Sequence, residues 1–168
     1  IKENKEMEDE DSRAIYMYYL PKNLTFLQKV SSDVPNNILS EDYEIDVFEF
    51  DLHITGDGQL IILHDGTLDR TTDAVEYFGK EEIRPEDYTY EELRALNFGE
   101  NFETDDGKMP YKGLRGEDIP DTLRVSRLED VLTRIESKGN YDYIIEIKNS
   151  EELGFKATDE LYRILSDL

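Results

Sequence analysis

The sequence predicts a single α/β domain built on a parallel sheet with crossover helices. Two strands flank a glycine turn within residues 47–70. A third strand, residues 143–148, lies between two stretches with helical apolar periodicity. This order of strand, strand, helix, strand, helix is typical of parallel sheets connected by helices. The 168 residues are enough for one ordinary domain with its own core.

The central stretch, Val47–Arg70, reads as two strands joined by a tight turn. Side chains alternate in the first strand: Phe48, Phe50, Leu52 and Ile54 share one face, and Glu49, Asp51 and His53 share the other. Gly56-Asp57-Gly58 predicts a turn in which two glycines allow positive φ. The second strand, Leu60–His64, is apolar almost throughout, which favours a strand covered on both faces.

The later elements follow from periodicity and capping patterns. Capping boxes, Thr89 with Glu92 and Ser126 with Glu129, predict helices starting near Tyr90 and Leu128. The first should cover Tyr90–Leu96, and the second should end at Gly139. The apolar stripe of the second helix comprises Leu128, Val131, Leu132 and Ile135.

The last strand and helix complete the pattern. Strand Tyr143–Lys148 should present Tyr143, Ile145 and Ile147 on one face and Ile144, Glu146 and Lys148 on the other. The last helix, about Glu152–Leu168, carries a stripe of Ala157, Leu161, Ile164, Leu165 and Leu168.

The remaining segments set the domain boundaries. Residues 1–12 are nearly all charged and predict a flexible acidic tail, which leaves 13–168 as the domain. Residues 14–20 predict a strand, and residues 24–30 predict a short helix. Residues 71–123 read as a long insertion after the His64 strand, and so long an excursion usually covers or walls a functional site.

Composition restricts the partners. A net charge of −22 argues against nucleic acid and anionic membranes, which such a surface repels. Without cysteine, disulfides and thiolate chemistry are excluded. No apolar run approaches the ~20 residues of a membrane helix, and no signal peptide is visible. The compartment stays open, with a slight preference for the cytoplasm.

Polar residues near the strand ends form a candidate site. Glu49 and Asp51 lie two residues apart on one strand face, roughly 7 Å from about 3.3 Å of rise per residue. A hard cation can bind between two such carboxylates. The alternative is that these carboxylates pair with other charged side chains as ions of the core.

Several motifs together resemble the glycerophosphodiester phosphodiesterase family, over roughly Ile45 to Leu168. They agree with the family in residue type, order and spacing: Glu49-Phe50-Asp51, Thr55-Gly56-Asp57-Gly58, His64-Asp65, Leu68-Asp69-Arg70-Thr71-Thr72, Tyr90-Glu91-Glu92-Leu93, Ile119-Pro120 with Leu128-Glu129-Asp130-Val131-Leu132, and Ile145-Glu146-Ile147-Lys148. The resemblance implies a (β/α)8 barrel of the TIM type. Since such a barrel takes about 250 residues, the chain is expected to be a partial barrel, either the N-terminal portion of a longer parent enzyme or a deletion product. A partial barrel leaves sheet edges unpaired, so it is expected to associate or aggregate unless these edges are paired.

The resemblance also implies an activity. Family members hydrolyse glycerophosphodiesters to glycerol 3-phosphate and an alcohol, with a divalent cation and two histidines as general acid and base. Glu49, Asp51 and Glu146 match the metal carboxylates, expected to hold Mg²⁺ or Ca²⁺, and His64 matches the second catalytic histidine. Lys148 matches the lysine that meets the phosphate of the small-molecule substrate.

Three further residues have open assignments. Arg70 could reach a phosphate or form a salt bridge within its own loop. Asp65 is expected to orient its neighbours rather than bind metal. His53 shares the face of Glu49 and Asp51 and is expected to support the site.

The chain departs from the family pattern in one respect. Family members begin with His-Arg-Gly at the end of the first strand, but the two histidines here are His53 and His64. The nearest counterpart, residues 14–23, offers tyrosines for the histidine region and Lys22 for a metal glutamate. Two alternatives to hydrolysis therefore stay open: a non-catalytic relative that binds a phospho-ligand or partner, and a phospholipase D-like lyase that forms a cyclic phosphate.

Overall fold

The computed structural model of the protein describes residues 47–104, 106–137, 139 and 141–168. The predicted acidic tail, the strand at 14–20 and the helix at 24–30 lie outside these residues. The elements within them are β1 (Val47–Ile54), β2 (Leu60–Ile62), α1 (Ala74–Phe78), α2 (Tyr90–Arg94), α3 (Leu128–Glu136), β3 (Asp142–Ile147) and α4 (Glu151–Asp167). Short 3₁₀ turns cover Pro85–Asp87, Gly116–Asp118 and Asp121–Leu123. No helix in this part of the chain is long and apolar enough to cross a membrane.

The sheet is mixed rather than parallel. Its order is β2-β1-β3, with β1 parallel to β3 and antiparallel to β2. The predicted parallel pairing is correct for β3 and wrong for β2. A tight turn can join only antiparallel neighbours, because parallel strands need a longer crossover connection.

The two glycines of the β1–β2 turn serve different purposes. Gly58 has a φ of +84°, a left-handed conformation that favours glycine. Gly56 instead allows close approach: its N–H donates to the Tyr88 carbonyl at 2.7 Å, and a Cβ would lie 3.0 Å from the Glu86 carbonyl oxygen. The prediction of positive φ is therefore correct for Gly58 and wrong for Gly56.

The main core lies between the sheet and helices α3 and α4. The apolar face of β1 packs there on the α3 stripe, as the two periodicities predict. Its buried members are Phe48, Phe50, Leu52, Ile54, Leu60, Ile62, Leu128, Val131, Leu132, Ile135, Ala157 and Ile164. Tyr143, Ile145 and Ile147 of β3 are partly buried against the same core, as alternation predicts.

A second core lies on the other side of β2 and is built by the excursion of residues 71–123. Ile61 and Leu63 pack there against Leu93, Leu96 and Phe98. The run Leu60–Leu63 is therefore covered on both faces, as predicted. The predicted strand Leu60–His64 is too long, because β2 ends at Ile62 and His64 is largely exposed. The excursion is a packed layer of short helices and turns that supports the strand leading to His64.

The helix ends correct two predictions. Thr89 and Glu92 form the predicted capping box at the start of α2, although this helix ends at Arg94. Ser126 and Glu129 do not form one, because α3 is preceded by Arg127 without a side-chain cap. The Ser126 carbonyl accepts from the Ile62 N–H at 3.1 Å, so its backbone extends the edge of β2.

The C-terminal ends of α3 and α4 also differ from prediction. Helix α3 ends before Gly139, because Ser137 is its C-cap and the Ser137 hydroxyl donates to the Arg134 carbonyl at 2.7 Å. In α4, Leu165 and Leu168 are 45% and 54% exposed, against the predicted stripe. Leu165 is rotated about 100° around the helix from the buried Ile164, and Leu168 lies beyond the helix end.

Candidate functional site

Polar side chains of β1 and β3 meet on the sheet face opposite the main core. The two strands are parallel, and Asp51 lies directly opposite Glu146 in their register. Side chains alternate along a strand, so Glu49 falls on the same face as Asp51, and Lys148 on the same face as Glu146. The predicted metal carboxylates and the predicted phosphate-binding lysine are thus brought to one face by strand register.

Lys148 joins the two strands through its ammonium group. Its Nζ lies 2.9 Å from Asp51 Oδ1 and 2.8 Å from Glu146 Oε1. Its backbone N–H donates to the Leu52 carbonyl at 2.9 Å, which continues the ladder past the end of β3. Burial acts to lower the pKa of Lys148, but the hydrogen bonds to Glu146 and Asp51 outweigh it and raise the pKa.

Glu49 completes the group of carboxylates. Burial raises its pKa above the ordinary value, and the neighbouring Asp51 charge adds to this effect. The positive charge of Lys148 opposes it. The register of the two parallel strands therefore brings Glu49, Asp51, Glu146 and Lys148 to one face of the sheet.

His64 follows β2, the strand that pairs with β1. The Leu63 N–H donates to the Asp51 carbonyl at 2.9 Å, so pairing with β1 continues to the residue before His64. The side chain of His64 is 71% exposed, and its Nδ1 lies 3.0 Å from Asp65 Oδ1. A carboxylate only accepts hydrogen bonds, so this contact requires a proton on Nδ1 of the imidazole.

Asp65 connects His64 to Arg70. The Arg70 Nε donates to Asp65 Oδ2 at 2.6 Å, so one carboxylate contacts both the His64 imidazole and the Arg70 guanidinium. Burial acts to raise the pKa of Asp65, but the hydrogen bonds from Arg70 and His64 hold it below the ordinary value. Asp65 thus contacts the neighbours it was expected to orient, and the salt bridge expected as one alternative for Arg70 is present. Phosphate binding by Arg70 stays a prediction.

His53 is buried beside the polar face, and the charge of Glu86, a residue that the sequence analysis missed, acts on its pKa. It is 4% exposed, and both ring nitrogens lack a hydrogen-bond partner. Burial lowers its pKa, and the nearby charge of Glu86 opposes that effect. Glu86 Oε2 is itself buried without a partner. No periodicity or motif marked Glu86, which lies in an irregular turn brought against β1 by the Gly56–Tyr88 contact.

A second missed residue is Asn149, next to Lys148. Its Oδ1 accepts a hydrogen bond from the Ile54 N–H at 2.8 Å, which ties the end of β3 to the end of β1. Its position directly after the strand that carries Glu146 and Lys148 could have marked Asn149 as a residue that contacts the site. Asn149 helps to fix the register on which the polar face depends.

The donor set fits a hard divalent cation in its chemistry. It consists of carboxylates, the ligands that Mg²⁺ and Ca²⁺ prefer, and two of them already converge on one cationic group, the Lys148 ammonium. Within the described residues, no three or more histidine, aspartate or glutamate side chains are grouped so as to hold a metal ion. Metal binding by Glu49, Asp51 and Glu146 stays a prediction.

The alternative interpretation, that the charged residues pair with one another, is partly realised at Lys148. The Glu146 side chain is nevertheless 60% exposed, whereas Asp51 is 16% exposed. The pairs therefore lie at the boundary with solvent, where a small ion can reach the carboxylates.

The sequence model of the glycerophosphoryl diester phosphodiesterase family matches residues 38–165. The chain belongs to this family. The match contains every candidate site residue discussed above and begins after residues 14–23, the weak counterpart of the His-Arg-Gly segment.

Curated relatives of the chain are named glycerophosphodiester phosphodiesterases. The chain is 33% identical over 138 residues to the glycerophosphodiester phosphodiesterase of Caldanaerobacter subterraneus, covering 77% of this chain and 49% of the relative. It is 40% identical over 69 residues to the enzyme of Haemophilus influenzae, covering 38% of this chain and 19% of the relative. The chain thus spans less than half the length of either relative.

Solved structures of family members share the fold. A glycerophosphoryl diester phosphodiesterase domain from Mycobacterium tuberculosis has a TM-score of 0.54 at 17% identity, covering 78% of this chain and 41% of that one. A phosphodiesterase from Oleispira antarctica, solved in complex with its product sn-glycerol-3-phosphate, has a TM-score of 0.52 at 21% identity, covering 76% and 43%. At these identities the likeness supports the fold alone.

Proposed function

We propose that this protein hydrolyses glycerophosphodiesters to glycerol 3-phosphate and an alcohol. The single observation that carries the proposal is the polar face of β1 and β3, where family membership and geometry agree. Three carboxylates, Glu49, Asp51 and Glu146, share that face with Lys148, and His64 follows the neighbouring strand β2.

The proposed architecture is a (β/α)8 barrel, of which β1, β3 and their helices form a part. Active sites of such barrels lie at the carboxyl ends of the parallel strands. Asp51 and Glu146 lie in the C-terminal halves of β1 and β3. Their position agrees with this arrangement.

His64 is the proposed proton-transfer group. Asp65 holds the proton on Nδ1 and fixes the ring, so Nε2 can take a proton from an attacking water or return one to the leaving alcohol. Proton transfer by a positioned imidazole contributes typically about 10²–10⁴-fold to the rate. Arg70 keeps Asp65 ionised and in place.

Glu49, Asp51 and Glu146 would hold Mg²⁺ or Ca²⁺. When bound, this cation would neutralise charge on the phosphoryl oxygens. Lys148 and Arg70 would bind the same anionic group, which a chain of net charge −22 can attract only through local cations. The proposed partner is therefore a small-molecule phosphodiester.

The test is release of glycerol 3-phosphate from glycerophosphocholine by this chain with Mg²⁺ or Ca²⁺. We expect release from the wild type and at least a 100-fold loss in His64→Ala. Because His64 is largely exposed, added imidazole should restore part of the lost activity if the variant lacks only proton transfer. Absence of release from the wild type, or full activity in His64→Ala, would contradict the proposal.

Two other functions remain distinguishable by the same assay. The absence of the His-Arg-Gly motif favours a non-catalytic relative, which would bind a phosphodiester without releasing product. A lyase would release the alcohol and leave a cyclic phosphate in place of glycerol 3-phosphate. Phosphorus NMR of the products separates these outcomes.

A further inference from the structure

We propose that Lys148 is an internal counter-ion that a divalent cation must displace from Asp51 and Glu146. The inference rests on the proposed function, because it concerns the same carboxylates. It adds a role for Lys148 that precedes phosphate binding. The ammonium first holds the carboxylates together, and displacement then frees it to meet an anionic substrate.

The contacts of Lys148 carry the first step. Its ammonium is within 2.9 Å of a carboxylate oxygen from each of two neighbouring strands. Lys148 and Asp51 are largely shielded from water, with side-chain exposures of 20% and 16%. A cation that binds both carboxylates must therefore compete with an ion pair that solvent screens only in part.

The charge balance carries the second step. Glu49, Asp51 and Glu146 place three carboxylates on this face, and Lys148 supplies a single ammonium against them. A divalent ion brings twice the charge and can accept several oxygen ligands at once. Exchange of Lys148 for such an ion is therefore favourable at sufficient concentration, and Lys148 sets how high that concentration must be.

Removal of Lys148 should therefore raise the affinity for the cation and lower the stability of the metal-free protein. Without the ammonium, no cationic side chain in the described part of the chain is paired with Asp51 or Glu146, so the added cation should bind more tightly. The metal-free protein loses the only pairing described for these two carboxylates and becomes less stable. A lysine that merely organises the ligands would give weaker binding instead.

The experiment measures Mg²⁺ and Ca²⁺ affinity by calorimetry for the wild type, Lys148→Met and Lys148→Arg. Lys156→Met is the matched control. Lys156 pairs with Glu152 on the exposed face of α4, and its substitution removes the same charge from the chain. Two ion pairs must be broken by the incoming ion, so we expect Lys148→Met to bind about tenfold more tightly. Lys148→Arg and Lys156→Met should stay within about twofold of the wild type.

A second measurement uses the wild-type protein, so its result does not depend on whether a variant folds. Acetylation of lysines by acetic anhydride, read by mass spectrometry, should be slow at Lys148 without metal because its ammonium is paired. Addition of Mg²⁺ or Ca²⁺ should raise the rate at Lys148 several-fold relative to Lys156.

Each outcome decides the proposal. Unchanged or weaker binding in Lys148→Met, or unchanged labelling of Lys148, overturns it while leaving metal-dependent hydrolysis intact. Absence of cation binding in both wild type and variant overturns it together with the metal dependence. Tighter cation binding in Lys148→Met, together with no glycerol 3-phosphate release by the wild type, supports the counter-ion role and contradicts the proposed reaction.

Discussion

Replacement of Arg115 by methionine should loosen the internal packing of the excursion, residues 71–123, which supports the strand leading to His64. Arg115 Nη1 lies 2.8 Å from Glu100 Oε2 and 3.4 Å from Asp73 Oδ2, and its Nη2 lies 2.7 Å from Glu76 Oε2. The side chains of Asp73 and Glu100 are 1% and 11% exposed. The substitution therefore leaves two buried carboxylates without their cationic partner.

The magnitude follows from burial. Loss of one partner of a fully buried ion pair costs about 3–5 kcal/mol. Arg115 itself is 37% exposed, and Glu100 keeps hydrogen bonds from Asn97 and the Gly113 N–H. We therefore expect a loss of about 2–3 kcal/mol in the free energy of unfolding. For a chain of this size that lowers the thermal midpoint by about 5–10 °C.

The assay is chemical and thermal unfolding followed by far-ultraviolet circular dichroism, since the chain has no tryptophan. Arg163→Met is the control, because Arg163 also contacts several carboxylates, but on the exposed surface of α4. It should change the midpoint little. Equal effects of the two substitutions would refute the assignment of Arg115 as the residue that holds the excursion.

Three further predictions concern acid stability, the core and catalysis. Burial acts to raise the pKa of Glu100, but its hydrogen bonds, chiefly from Arg115, lower it below the ordinary 4.5. The stabilisation that the ionised Glu100 contributes is therefore complete above pH 4.5 and is lost as the pH falls through the lowered pKa. The difference in free energy of unfolding between wild type and Glu100→Gln, measured by urea unfolding, should therefore decrease towards zero in acid. Leu132→Ala should cost about 2–5 kcal/mol in urea unfolding, because Leu132 is fully buried between α3 and the sheet; a smaller loss would contradict that packing. Asp65→Asn should lower kcat for glycerol 3-phosphate release about 10–100-fold, less than for a buried triad because His64 is exposed, and an unchanged kcat would contradict its positioning role.

Local patterns predicted the faces of the strands well. Alternation placed Glu49, Asp51 and His53 opposite the core residues of β1, and the same rule placed Glu146 and Lys148 on one face of β3. These predictions succeeded because the two-residue period follows from backbone geometry alone. The prediction of a parallel sheet was wrong for β2, which runs antiparallel to β1. The order of strands and helices favoured a parallel sheet, but the short turn between β1 and β2 allows only antiparallel pairing.

Features that depend on contacts between distant segments were not predictable. Ser126 and Glu129 have the spacing of a capping box, but the Ser126 backbone is engaged by Ile62 of β2. The second core combines residues of β2 and of two five-residue helices with residues of the loops between them, and such short segments carry too little periodicity to predict their packing. The charge of Glu86 acts on the pKa of His53 only because a turn distant in sequence packs on β1, and such packing leaves no local signal.

The central claim is that the carboxylates of β1 and β3 bind a divalent cation needed for hydrolysis. Its most direct test removes cations from the chain with a chelator, adds back Mg²⁺ or Ca²⁺, and measures glycerol 3-phosphate release. We predict that release stops on chelation, returns with the added cation, and does not return in Glu146→Gln. Release that continues without a cation, or that returns fully in Glu146→Gln, would contradict the claim.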